Sequence, residues 1–209
     1  MARAASSPRR RRRHGRRRRR TSQASAILLT AVIASPVLVG GGILIAAAAT
    51  PDACRTHAEV RADLGYSDEQ LAHAETIIDA GRDLGLGERD QTIAVMTAAG
   101  ESSLRNIDYG DWETARVTNP DGSRTTSVGL FQQQDGWGTR DERLDPHTAA
   151  TLFYRALVTR VPDRDALPPT QVAHRTQVNL DPEHYERYWD DAVAIVDWVT
   201  APPGTLHCD

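Results

Sequence analysis

Lysine is missing altogether: the 25 basic side chains of this 209-residue chain are all arginine. Acidic residues are missing from the first 51 positions, so all 28 lie at position 52 or later. Eleven arginines fall within positions 1–20, which gives residues 1–50 a charge of about +11 and residues 51–209 a charge of 14 − 28 = −14. The net charge of −3 hides two opposite parts, and one isoelectric point describes neither. The chain also lacks a Gly-x-Ser-x-Gly elbow, a phosphate-binding glycine loop and a His-x-x-x-His pair, so nothing points to a serine hydrolase, a nucleotide binder or a zinc enzyme. Its seven histidines are scattered without ligand spacing, and no metal and no cofactor are expected. There is no internal repeat.

Charge is absent in a third sense from Thr21 to Pro51, and within that stretch Ala26–Thr50 is an apolar run of 25 residues. A helix that crosses a bilayer needs roughly 20 such residues. Pro36 and Gly40 to Gly42 weaken the helix, but spans tolerate them. The arginine-rich segment Arg9 to Arg20 precedes the run, and positive flanks stay on the cytoplasmic side. The sequence thus divides into a basic cytoplasmic tail over 1–25, a transmembrane anchor over 26–50, a linker or short first helix over 51–66, a folded domain over 67–201 outside the membrane, and a tail over 202–209. The arginines also suit anionic lipid headgroups, which accounts for them without a nucleic-acid partner. A cleaved signal peptide is the rival reading, because Ala47-Ala48-Ala49 fits a small-residue cleavage site. The protein would then be secreted, and the folded part would still lie outside. A lipoprotein is disfavoured, since Pro51-Asp52-Ala53 precedes Cys54 with no Leu three residues before it.

The two cysteines, Cys54 and Cys208, bracket the folded part almost end to end, on the side of the membrane where disulfides persist. A bridge between them is expected; two free thiols are the alternative. Helical signals fill the interval. Ser67 with Gln70 three residues on forms a capping-box pattern, followed by Leu71, Ala74, Ile77, Ile78 and Leu84 at helical spacing. Asp90 is the expected cap of a helix over Gln91 to Leu104, with Ile93, Met96 and Gly100 inward and Glu101 four residues after Thr97. The period is lost from Asn106 to Thr126. There Asn119-Pro120-Asp121-Gly122 signals a tight turn, with Ala115–Thr118 and Arg124–Ser127 as arms of a β-hairpin. Asp145-Pro146 opens a further helix, Pro168-Pro169 a short one, and Asp181-Pro182 the last. The expected fold class is α+β, mainly α, with one small hairpin.

Several short motifs occur in a meaningful order: Ala99-Gly100-Glu101-Ser102, Tyr109-Gly110-Asp111, Ser127-Val128-Gly129-Leu130-Phe131-Gln132-Gln133, Gly136-Trp137-Gly138-Thr139, Leu144-Asp145-Pro146 and Phe153-Tyr154. Together they resemble the lysozyme-like superfamily, specifically the lytic transglycosylase and goose-type lysozyme group. The nearest likeness is to bacterial cell-wall hydrolase domains that carry a Gly-Leu-Phe-Gln-Gln box. The likeness spans about residues 68–200. It implies a lysozyme-like domain, peptidoglycan as substrate, and cleavage between MurNAc and GlcNAc with Glu101 as general acid. A carboxyl in a partly apolar cleft can keep its proton near neutral pH and give it to the leaving oxygen.

The same likeness assigns Ser102 to supporting Glu101 or touching sugar, with a helix-end hydroxyl bonded to backbone as the alternative. Gln132 and Tyr109 belong to the substrate cleft, Gly129 permits close backbone approach, and Asp111, ahead of Asp108, is the candidate second carboxylate. Leu130 and Phe131 are core residues. Trp137 either stacks on sugar or packs inside, and His174 is a surface or capping residue. A lytic transglycosylase, which needs no second carboxylate, is favoured over a hydrolytic muramidase. The stretch Gln171 to Gln177 lacks the Tyr-Asn pair common in transglycosylases, and Thr118 to Thr126 is longer than in the nearest relatives. A lysozyme-like module that grips peptidoglycan without cutting it is the alternative function.

Overall fold

The computed structural model describes residues 54–202 and 204–208, a mainly helical body with one two-stranded antiparallel sheet. The expected basic tail and apolar span, 1–50, lie outside the described residues. Among the described residues no helix is long and apolar enough to cross a membrane.

The helices in chain order are α1 His57–Asp63, α2 Asp68–Asp83, α3 Glu88–Ser102, α4 Asp111–Ala115, α5 Arg140–Leu144, α6 Pro146–Arg160, α7 Pro169–Gln177 and α8 Trp189–Thr200. Two of the capping signals work where they were read. Ser67 accepts from Gln70 N while the Gln70 side chain accepts from Ser67 N, closing the box that starts α2. Asp145 caps α6, with Pro146 in the first turn, where its missing N–H costs nothing. Helix α3 is the axis of the body. Every residue from Asp90 to Ala99 is buried, and it touches α2, α6, α7 and α8. A helix covered on all sides carries no polar stripe, which is why its small residues Ala94, Ala98 and Ala99 face helices instead of water. Tyr154, Phe131, Phe153 and Tyr185 supply the large buried rings, with Phe131 stacked on Phe153 at 4.8 Å.

Several expectations need correction. Asp90 does not cap α3. Gly87 occupies that position, and the Asp90 carboxylate instead accepts from Arg164 Nε at 3.0 and 3.1 Å. A long-range partner outweighs the local cap. The last helix starts at Trp189, not at Pro182: Asp181 Oδ1 holds Glu183 N in a turn and Thr170 Oγ1 holds the Pro182 carbonyl, so the chain enters through a 3-10 turn at Glu186–Tyr188. The hairpin shrinks to one bridge, Thr118 with Arg124, around the expected turn. Its first arm is cut short because α4 forms just before it, where Glu113 Oε2 accepts from Gly110 N.

The stretch read as a linker contains strand β1, Arg55–Thr56, and α1. The stretch read as a tail contains β2, Leu206–His207, which pairs with β1 in the register Arg55 with His207. Cys54 and Cys208 are disulfide-bonded beside this pair, 154 residues apart in sequence. Trp198 of α8 donates to the His57 carbonyl at 3.0 Å and stacks on its ring at 4.7 Å, which fastens the sheet to the body.

Candidate active site

Glu101 stands at the penultimate position of α3, and the way the helix ends fixes its place. Ser103 and Leu104 both take left-handed backbone, φ 53° and 58°. Their amides donate back to Ala99 O at 3.0 Å and Ala98 O at 3.2 Å, so the chain reverses at once. Two side chains of α2 take up carbonyls of this turn: Gln70 Nε2 donates to Ser103 O at 2.6 Å, and His73 Nδ1 lies 2.9 Å from Leu104 O. Among the described residues, five non-glycines have positive φ: Ser103, Leu104, Arg116, Gln132 and Val178. Gln132 and Val178 line the cavity that contains Glu101, and Ser103 and Leu104 follow Glu101 closely. Backbone in sparsely populated regions persists only where its surroundings hold it, and here it gathers about one carboxyl.

That carboxyl lies in a groove. One part, of about 650 Å3, is lined by Glu101 and Asp111, the turn at Thr118–Pro120, and Val178 to Asp181. A smaller part, of about 230 Å3, also has Glu101 and Asp111 in its wall, with Gln132, Gln134, Trp137 and Gln177. The larger part alone falls within the range of ligand-binding clefts. Burial pushes the Glu101 pKa up to about 7 from an ordinary 4.5; the hydroxyl of Tyr185, which donates to Glu101 Oε1, pulls it down, and the charge of Asp111 pushes it up. Tyr185 is itself buried, and its own pKa is raised, first by burial and then by the neighbouring carboxylate.

Two polar side chains stand beyond Tyr185. The Asn179 side chain acts to lower the raised pKa of Tyr185, and Asn179 Oδ1 lies 2.5 Å from His174 Nδ1. An amide oxygen only accepts, so Nδ1 of His174 carries the hydrogen. His174, expected at the surface or in a cap, is half-buried in the last turn of α7, with its ring on Asn179 just beyond the helix end. Gly100 makes room for Tyr185: a Cβ there would meet Tyr185 Cδ1 at 2.8 Å.

The other expected residues sort into two groups. Asp111 and Gln132 line the groove with Glu101, as the sequence suggested. Ser102 does not reach it. It is buried, and its hydroxyl donates to Leu130 O at 2.9 Å, pinning the Gly-Leu-Phe-Gln loop to α3, with Ala98 O 3.2 Å away. Gln177 Nε2 does the same from α7 by donating to Phe131 O at 2.8 Å. Tyr109 enters through its backbone: its carbonyl accepts from Gln132 Nε2 at 3.3 Å, while its side chain is exposed and is not part of the groove wall. Gly129 is required by the close approach. With φ +77°, any Cβ there would stand 2.1 Å from the Arg143 carbonyl oxygen. Leu130 and Phe131 are core, as expected. Trp137 lines the smaller part, but Arg160 Cζ sits 4.6 Å over its ring, so one face is already covered. Asp108 is not in the groove wall; it belongs to an adjoining depression.

Sequence reading missed Tyr185 as a site residue, along with Asn179, Gln134 and Gln177. Tyr185 is also a core ring; 84 residues separate it from its partner, and no local pattern signals the pairing. Arg143 was missed as well. It is a buried guanidinium that donates to Gly138, Thr126 and Gln133 carbonyls and to Asp135, and so braces the loop on which Gly129 and Gln132 ride. Among the described residues no three His, Cys, Asp or Glu side chains converge as metal ligands would. No protein-family model and no curated protein matches this sequence.

Proposed function

We propose that this protein cleaves the glycan strands of peptidoglycan between MurNAc and GlcNAc, with Glu101 as the general acid. The observation that carries the reading is the Glu101 carboxyl itself: set in a groove, deprived of water and held by Tyr185, with a pKa about 7. A carboxylic acid tuned near neutrality is what protonation of a glycosidic oxygen requires. The amides of Gln132, Gln134, Gln177 and Asn179 in the same wall suit the hydroxyls and acetamido groups of amino sugars.

In the lytic transglycosylase form of the reaction, Glu101 gives its proton to the leaving O4 as the C1–O4 bond breaks. It then takes the proton of the muramic 6-hydroxyl as that oxygen bonds to C1, leaving a 1,6-anhydro end. A hydrolytic form has one observation in its favour. Asp111 lines both parts of the groove and its charge acts on Glu101, which suits a base that activates water in an inverting reaction. We place the catalytic domain outside the cytoplasmic membrane, carried by residues 26–50, with the N-terminus inside; secretion after cleavage near Ala49 is the variant reading.

The test is digestion of purified sacculi by the full-length protein and its Glu101→Gln variant, with the released sugars identified by mass spectrometry. Cleavage by the wild type and a loss of at least about 10³-fold in the variant is expected. Anhydro ends in the product select the transglycosylase, and reducing ends the hydrolase. Equal clearing by both proteins would remove Glu101 from the chemistry. Binding without clearing by either would make this a peptidoglycan-gripping module.

A further inference from the structure

Apart from the imidazole of His184, the groove around Glu101 offers no basic side chain: its wall is carboxylate, amide, hydroxyl and apolar. The guanidinium groups lie next door. A second depression, of about 320 Å3, shares Thr125 with the larger part of the groove and Ser127 with the smaller, and its wall includes Arg124, Arg140 and Arg143 around Trp112. Arg143 is fully occupied by its carbonyls and by Asp135.

Arg124 and Arg140 are different. Both are exposed, and neither belongs to any ion pair among the described residues. Arg124 Cζ rests 4.6 Å over the Trp112 ring, and Arg140 Nη2 donates to the Asp108 carbonyl at 3.0 Å. Glu113 feels the charge of Arg124, but its Oε2 is engaged by Gly110 N. The Asp108 carboxylate has no ion-pair partner either. Residues 51–209 carry 14 − 28 = −14, and this depression sets Arg124 and Arg140, each held in place by an uncharged partner, beside the carboxylates of Asp108 and Glu113, which have no ion pair among the described residues either, at the border of the groove.

We propose that this depression holds the peptide stem of the peptidoglycan strand, a short peptide bearing several carboxylates and a free ammonium, while the groove holds the sugars. The proposal rests on the glycan-cleavage reading above. Arg124 and Arg140 take peptide carboxylates in the forked geometry that a guanidinium presents. Asp108 takes the ammonium, and Trp112 gives the peptide an apolar wall. The contact between the two hollows at Thr125 and Ser127 is where a stem attached to a bound muramic acid would pass from one to the other. Strands that still carry stems are then preferred over strands that have been stripped.

Titration calorimetry on the full-length protein in detergent micelles tests this, with the free tetrapeptide L-Ala–D-Glu–meso-diaminopimelate–D-Ala as probe. The wild type binds it, and Arg124→Gln/Arg140→Gln weakens binding at least about tenfold. A peptide with its carboxylates amidated binds the wild type more weakly by a similar factor, a control that needs no variant to fold. Absence of binding by the wild type at millimolar peptide, or equal affinity for the amidated peptide, overturns the proposal. Glu101→Gln binds the tetrapeptide like the wild type, so this measurement stands whether or not strands are cut. On cleavage, the double variant loses kcat/KM on stem-bearing strands and keeps it on strands stripped by an amidase; equal loss on both overturns the proposal.

Discussion

Replacing Tyr185 with Phe removes one hydroxyl from the Glu101 carboxylate and leaves the buried ring in place. The hydrogen bond favours the charged carboxylate, so its loss raises the Glu101 pKa further above about 7. A hydrogen bond to a charged group contributes about 1.5–3 kcal/mol, and one pKa unit corresponds to about 1.4 kcal/mol. The shift expected is therefore about one to two pH units upward. If Glu101 is the acid, activity needs its protonated form, and the alkaline limb of the kcat/KM profile reports its pKa. In Tyr185→Phe that limb moves from near 7 toward about 8 to 9, and the plateau falls because the carboxyl is held less firmly. Asp111→Asn acts in the opposite direction: it removes a like charge, so the limb moves down. Asp111 is exposed, so this effect is smaller and shrinks in salt. The assay is the pH profile of release of soluble fragments from sacculi, at low and at high ionic strength. A limb in Tyr185→Phe that stays put or moves down would refute the reasoning, because the hydroxyl would then not be what holds the carboxylate charged.

Three further outcomes are expected. Glu101 has a raised pKa in the folded state, so folding favours its protonated form, and the stability this gives is present below 4.5 and lost as pH rises through about 7; Glu101→Gln thus raises Tm at pH 8, by at most about 3 kcal/mol in stability, and changes it little at pH 4, as calorimetry on both proteins would read. Gly129→Ala drives a Cβ to 2.1 Å from the Arg143 carbonyl at φ +77°, so a loss of roughly 3 kcal/mol or more is expected in urea unfolding. Reduction of the Cys54–Cys208 bond, which closes a loop of 154 residues, lowers stability by about 5 kcal/mol on the chain-entropy model, measured as a fall in denaturation midpoint with and without reductant.

Where a feature depends on near neighbours, the residues announce it. Ser67 with Gln70 and Asp145 with Pro146 start the helices they were expected to start, and the turn at Asn119–Gly122 forms where its residues demand it. Features that depend on distant partners stay silent. Asp90 looks like a cap until Arg164 is known to lie against it. Tyr185 looks like any core ring until Glu101 is found at its hydroxyl. The sheet joins residues at the two ends of the described chain in strands of two residues each, too short for any alternation to show. Glu101, Asp111 and Gln132 share the groove wall that motif order suggested, and Gly129 makes its close approach against Arg143, outside that wall; Ser102 takes the backbone-bonded alternative and Tyr109 brings only its carbonyl, because a hydroxyl or a carbonyl turned inward reads the same as one turned out.

The joined ends have a mechanical consequence. When the segment before Cys54 is pulled, the load passes through the covalent bond to Cys208 and the short ladder beside it. A load applied beyond Cys208 meets the same junction from the other direction. Force applied between these two ends is thus borne at one junction and does not run through the helix that carries Glu101.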